Sequence, residues 1–291
     1  MARFISLLIS GVSLGFVMAL VALGFLVLYK ATGIVNFAHG DLVTLGAYFA
    51  LWGTTSLGMP TIAAYAFALV LMFAVGITLE RVAYAPLRKR PVLIVVIATL
   101  AASLVIEAAL SLWWGSTPQA LPSPVGNGVV MAFGAPIPDQ EILIIIVCLV
   151  IISALFYVFH RTSIGRQVRA LASDREMAEM VGIRSRRISV FVFAVSATLA
   201  GVAGLLIAPL SAVSITFGFS AMITAFVAAV IGGFGSFLGV VIGGLFIGLL
   251  QQVVGGYLVP NYADTLPFVV LFIVIAIRPE GLSRTLGGAR L

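Results

Sequence analysis

From Phe4 to Tyr29 the chain contains no Asp, Glu, Lys or Arg. An apolar run of that length is more than the roughly 20 residues a helix needs to cross a hydrocarbon core about 30 Å thick. Inside lipid the backbone must satisfy its own hydrogen bonds, so such a run is a helix. The pattern returns at Leu42–Leu57, Ile62–Leu79, Val92–Trp113, Ile142–Phe159, Ile188–Leu210 and Phe237–Leu258. Ala221–Ile231 is too short to cross alone, and Tyr262–Ile277 would extend only about 24 Å if fully helical. With 62% hydrophobic and 9% charged residues the chain departs from any water-soluble domain. The expectation is an all-α, polytopic transmembrane bundle of about eight helices, or nine, with broken or re-entrant elements, forming a single domain over 1–291. Phe4–Tyr29 is too long for the apolar core of a signal peptide and no A-x-A site comes after it, so it reads as a retained first helix.

The formal charge of +6 is arranged in a way that reports topology. Fourteen of the 16 Lys and Arg fall within Arg81 to Arg90, Arg161 to Arg187 and Arg278 to Arg290. The positive-inside rule places these stretches in the cytoplasm and the Lys- and Arg-free interval Gly115 to Gln140 outside. That pattern is not a nucleic-acid footprint. The N-terminal side stays open, because Arg3 argues for inside and Lys30 for the opposite. Cys148 stands alone, which excludes an internal disulfide or a multi-cysteine metal site, and His39 and His160 are far apart in sequence. No phosphate-binding loop, H-E-x-x-H or G-x-S-x-G motif occurs. The residues therefore supply no cofactor, metal or catalytic cluster, and any ATP would have to be used by a partner.

Two Gly-containing interruptions stand out. The first, Thr32 to Asp41, places Asn36, Phe37, His39 and Asp41 between two apolar runs. The second, Gly232, Gly233, Phe234, Gly235 and Ser236, lies within an apolar stretch. Unwound backbone at membrane depth survives only where protein or a water-filled cavity satisfies it, so both are candidate linings of a translocation path. The alternative for the first is a plain cytoplasmic turn capped by Asp41. For the second it is close helix packing, which the four-residue spacings of Gly235, Gly239 and Gly243 and of Gly244 and Gly248 favour.

The basic segment 160–187 encodes a short helix. Ser173, Asp174 and Glu176 form a Ser-x-x-Glu capping pattern in which Ser173 is the expected cap, and Gly182 is the expected stop. Between them Met177, Met180 and Val181 share one face. Such a face either docks on another subunit, for which adaptable Met side chains are suited, or lies back on the bundle or on anionic lipid. Glu107 is the carboxylate well inside a clear span: a structural hydrogen-bonding group, or a proton relay.

Asn36-Phe37-Ala38-His39-Gly40-Asp41 followed by Leu45-Gly46-Ala47-Tyr48 resembles the N-terminal signature of the LivH-type permeases of branched-chain amino acid ABC importers. Glu80-Arg81-Val82-Ala83-Tyr84, Gly165-Arg166 with Arg169-Ala170, Gly182-Ile183, Ala228 to Ser236 and Pro279-Glu280-Gly281-Leu282 match in the same order. The resemblance implies a vitamin B12-importer-like permease in the bacterial inner membrane. It also implies a heterodimer with a second related permease, two cytoplasmic ABC ATPases carrying ATP and Mg, and an extracytoplasmic amino-acid-binding protein. Under it, segment 160–187 is the coupling loop, and the work of this chain is transport without catalysis. Urea and short-amide permeases belong to the same relatives. A proton-coupled transporter using Glu107 is the reading that needs no ATPase.

Overall fold

Apolar sequence becomes helix almost from the first residue of this computed structural model, which describes residues 1–132, 134–233, 235–257 and 260–277. The elements are α1 (Ala2–Thr32), α2 (His39–Thr55), α3 (Thr61–Leu79, widening into a π turn at Glu80–Tyr84) and α4 (Val92–Trp114). Strands β1 (Val129–Ala132) and β2 (Ala135–Pro138) form an antiparallel hairpin, which leads into α5 (Asp139–Arg161), α6 (Ser163–Ser173) and α7 (Arg175–Met180). Next come α8 (Ser185–Ile207), α9 (Phe217–Gly232), α10 (Phe237–Leu249, continuing through a π turn), α11 (Gly255–Tyr257) and α12 (Leu266–Ile277). Among the described residues six helices are long and apolar enough to cross a membrane, while α2 and α9, at 17 and 16 residues, are shorter. Phe234, the basic stretch 278–290 and the segment 279–282 lie outside the described residues.

The chain divides into two compact units. One comprises residues 27–124 and 150–221. Its centre is the trio α2, α3 and α8, which glycines bring nearly to backbone contact. A Cβ on Gly76 of α3 would lie 2.6 Å from Ala194 Cα of α8, and one on Gly201 of α8 would lie 2.7 Å from Met72 Cγ. Tyr48, Leu51, Ala68, Leu110 and Leu205 close a core over this contact. Tyr65 Oη donates to Pro122 O, which ties the start of α3 to the charge-poor interval. At the other end of α3, Tyr84 meets Arg175 from the basic loop. The ends of α3 thus sort as the charge pattern requires.

The other unit comprises residues 1–26, 125–149 and 222–291. Here α10 lays its small residues against α1: a Cβ on Gly15 would lie 2.7 Å from Leu245 Cα, and one on Gly244 would lie 2.6 Å from Ala19 N. Val227, Ala228, Ile231 and Ile247 join α9 to α10 in a buried cluster. Ser6 Oγ donates to Pro136 O of the hairpin and Ser10 Oγ to Glu141 Oε1 at 2.7 Å, so the beginning of α1 belongs with the charge-poor interval. Near its last turn, Lys30 lies within electrostatic reach of Arg169 in the basic loop. Arg3 and Lys30, whose charges argue for opposite sides, stand at opposite ends of α1, and Arg3 donates to Gly256 O and stacks over Tyr257.

Candidate functional site

α1 stops at Gly33, whose φ of +72° takes the left-handed conformation that ends helices, and Gly33 N donates to Tyr29 O. The chain turns again at Asn36, whose Oδ1 accepts from Ala38 N at 3.1 Å while Asn36 O accepts from His39 N. This side-chain-closed turn launches α2. Asp41 is therefore not the cap of α2, as the turn reading required. It sits in the first turn and accepts a hydrogen bond from Ser103 Oγ of α4.

The partners of this segment fix its depth. Phe37 N donates to Thr99 Oγ1 of α4 at 3.2 Å, and Ser196 Oγ of α8 lies 3.4 Å from His39 Nδ1. Ser103 and Ser196 are each the middle residue of a 23-residue helix. Counting 1.5 Å per residue, both stand roughly 16 Å from either end. The break and the first turn of α2 are thus held near the midpoints of α4 and α8, with Asn36, His39 and Asp41 only 2%, 0% and 5% exposed. Thr44, one turn further on, accepts from Gly218 N at the start of α9 at 2.8 Å. The starts of α2 and α9 therefore meet, their first N–H groups satisfied by Asn36, Thr44, Ser214 and Thr216, with the positive dipole ends near one another. Sequence reasoning missed Thr99, Ser103 and Ser196. A signal existed on α4, where Thr99, Ser103 and Glu107 recur every four residues. Glu107 lies within electrostatic reach of Asp41.

The second interruption has a different character. Gly233, at φ +86°, ends α9, and Ser236 caps α10 by accepting from Gly239 N at 3.0 Å. Gly232 leaves no room for a side chain against the backbone of Gly239, nor Gly243 against that of Ala228. Packing accounts for these glycines. The first break and this one fall in different units, and each stands on its own geometry.

The basic loop folds as two helices. α6 is capped by Thr162 and buries Val168 and Leu171, and Arg169 reaches back to Phe159 O. Because α6 runs through Ser173, that residue is already helical and cannot cap α7. Asp174, with extended φ −154° and ψ 113°, caps α7 and accepts from Met177 N at 3.0 Å, which corrects the assignment to Ser173. Glu176 lies exposed in the first turn of α7, where its charge suits the dipole. At the far end Gly182 N donates to Glu179 O and Ile183 N to Ala178 O, with Gly182 at φ +89°: a Schellman stop where the sequence placed one. Ala178 is buried, whereas Met177, Met180 and Val181 are 56%, 74% and 76% exposed. The Ser185 hydroxyl and, next, Arg175 hold the Glu179 carboxyl below its ordinary pKa.

At the charge-poor end of the same unit a cavity of about 810 Å³ is lined by Phe49, Leu71, Gln119 and by Trp52, Trp113 and Trp114, all the tryptophans of the chain.

Residues 7–275 match the family described as branched-chain amino acid transport system, permease component. The high-affinity branched-chain amino acid transport system permease protein LivH of Escherichia coli K12 is 34% identical, over 96% of this chain and 95% of its own. BraD of Pseudomonas aeruginosa, a permease protein of a system of the same description, is 32% identical over the same shares. Among solved structures, PsaBC from Streptococcus pneumoniae superposes with a TM-score of 0.51 at 14% identity, covering 94% of this chain and 91% of that one. An inward-facing transporter described as of the metal-chelate ABC type gives 0.53 at 17% identity, covering 94% and 84%. These two likenesses speak to the helical fold alone.

Proposed function

The chain belongs to the family of permease components of branched-chain amino acid transport systems, and on that footing we propose that it is the membrane-spanning subunit of an ATP-binding-cassette importer. It carries branched-chain amino acids inward across the bacterial inner membrane. The observation that carries this reading is the unwound break between α1 and α2, which with the first turn of α2 carries Asn36, Phe37, His39 and Asp41 and is held by hydroxyls of α4 and α8. In an apolar bundle that is where an amino acid, with both a charged carboxylate and a charged ammonium, can exchange water for fixed dipoles and polar side chains. Asn36, Phe37, His39 and Asp41 are assigned to the path. Gly232, Gly233, Gly235 and Ser236 shape the turn between α9 and α10 by packing.

The whole chain acts as one permease domain, with 160–187 as its coupling loop. Hydrolysis of Mg-bound ATP takes place on two partner ATPases, in a complex with a second related permease and an extracytoplasmic binding protein. The exposed Met177, Met180 and Val181 face supports this assignment, since a helix fixed by caps at both ends offers an apolar surface to whatever docks there. The family placement does not favour a proton-coupled mechanism through Glu107. The test is uptake of labelled leucine into liposomes carrying the full complex, with isoleucine, valine and urea as competitors. ATP-dependent uptake inhibited by isoleucine and valine is expected. Inhibition by urea alone, or uptake that tracks a proton gradient without ATP, would overturn the assignment.

A further inference from the structure

The motif Glu80 to Tyr84 lies apart from the break, at the end of α3 that meets the basic loop. It forms a π turn, an irregularity frequent where helices do work. Tyr84 is 1% exposed, its ring lies 5.0 Å from that of Phe193 on α8, and its hydroxyl accepts from Arg175 Nη1 at 3.2 Å. Arg175 is the first residue of α7. Glu80 is fully buried, and neither carboxylate oxygen has a hydrogen-bond partner among the described residues. Arg186, at the start of α8, Arg88 and Arg81 lie within electrostatic reach of it.

We infer that Tyr84 is the positioning residue that links α7 to the membrane helices, with the Arg175–Tyr84 hydrogen bond as the joint between the docking helix and α3. The inference rests on α7 being the docking element. A displacement of α7 pulls on Arg175, which grips a side chain wedged between α3 and α8. Beyond the joint α3 has no slack: Gly76 abuts Ala194, Met72 abuts Gly201, and Gly201 abuts Gly46 of α2. Close-packed elements shift as bodies rather than deform, so movement at Tyr84 reaches α2, whose first turn adjoins the break.

The experiment is a double-mutant cycle in the assembled importer, measuring ATPase co-purification, substrate-stimulated hydrolysis and leucine taken up per ATP hydrolysed. Tyr84→Phe keeps the ring against Phe193 and removes only the acceptor. It is expected to leave membrane level, ATPase binding and hydrolysis near the parent while uptake per ATP falls by about tenfold, the scale of one hydrogen bond to a charged group. Arg175→Gln should do the same, the double variant should be no worse than either single one, and Arg175→Lys should recover part of the loss. Unchanged uptake per ATP in both single variants, or losses that multiply in the double one, would overturn the link. Met180→Asp separates the two levels. If it leaves ATPase binding intact the docking role of α7 fails, whereas if it releases the ATPase while Tyr84→Phe is silent, only the joint is refuted.

Discussion

Gly46 of α2 faces Gly201 of α8 so closely that a Cβ on Gly46 would lie 2.5 Å from the Cα of Gly201. The obstacle is backbone, which cannot rotate aside. Gly46→Ala is therefore expected to destabilise the chain by about 1–3 kcal/mol, as overpacking of a close contact does, read as a lower thermal midpoint in detergent. An unchanged midpoint would mean that α2 and α8 can separate at no cost.

Met180→Asp puts a charge on the face assigned to docking, where burial without a partner costs several kcal/mol before relaxation, a magnitude that transfers from buried ions generally. ATPase co-purification should drop well below that of the parent at equal membrane level. The proper control is Glu176→Gln, on an exposed side chain, rather than a change at Glu179, which bonds Arg175. Equal ATPase recovery from both variants would move the docking site to the segment 81–90.

The cap of α7 has its own signature. Asp174→Ala should loosen α7 by about 1 kcal/mol and speed its amide exchange, whereas Ser173→Ala should be close to neutral. Loss of protection in the Ser173 variant alone would make Ser173 the cap after all. Glu179 adds a pH dependence. Its pKa is lowered in the folded chain, so its contribution is complete above the ordinary carboxylate value and disappears as pH falls through the lowered one. Protection of α7 should therefore be flat from pH 6 to 8, about the physiological range, and decline only in acid.

In a Cys148→Ala background, Asn36→Cys should react with a water-soluble thiol reagent far more slowly than Met180→Cys, because one position is buried and the other exposed. Its rate should respond to ATP and binding protein if the break lines the path. Fast labelling indifferent to both would reduce it to a surface turn.

Glu107→Gln keeps shape and hydrogen-bonding capacity and removes a charge facing Asp41. Most ATP-driven uptake should survive. Complete loss with normal hydrolysis would make Glu107 a relay.

How much of the structure is legible in the sequence depends on whether the signal is local. Long apolar runs become helices because lipid leaves the backbone no alternative. Gly182 reads correctly as a stop because a left-handed C′ residue is a requirement of one turn of chain. Ser173 misleads because the capping pattern does not reveal that α6 continues through it. That helix is amphipathic rather than apolar, so a search for apolar runs passes over it. The anchors of the break, Thr99, Ser103 and Ser196, lie 62 or more residues away along the chain. Their meeting depends on tertiary packing. The glycines of α10 are readable as a small-residue face, but their complement, Gly15 and Ala19 of α1, is not, since a surface says nothing of what will cover it.

The gathering of Trp52, Trp113 and Trp114 around one cavity makes this chain its own optical probe. Its tryptophan emission arises from a single neighbourhood at the charge-poor end, with no tryptophan elsewhere in the sequence to dilute it. Quenchers dissolved in water and quenchers carried on lipid tails would compete for the same three rings. Their relative effect reports which solvent fills that space, without a dye or a substitution.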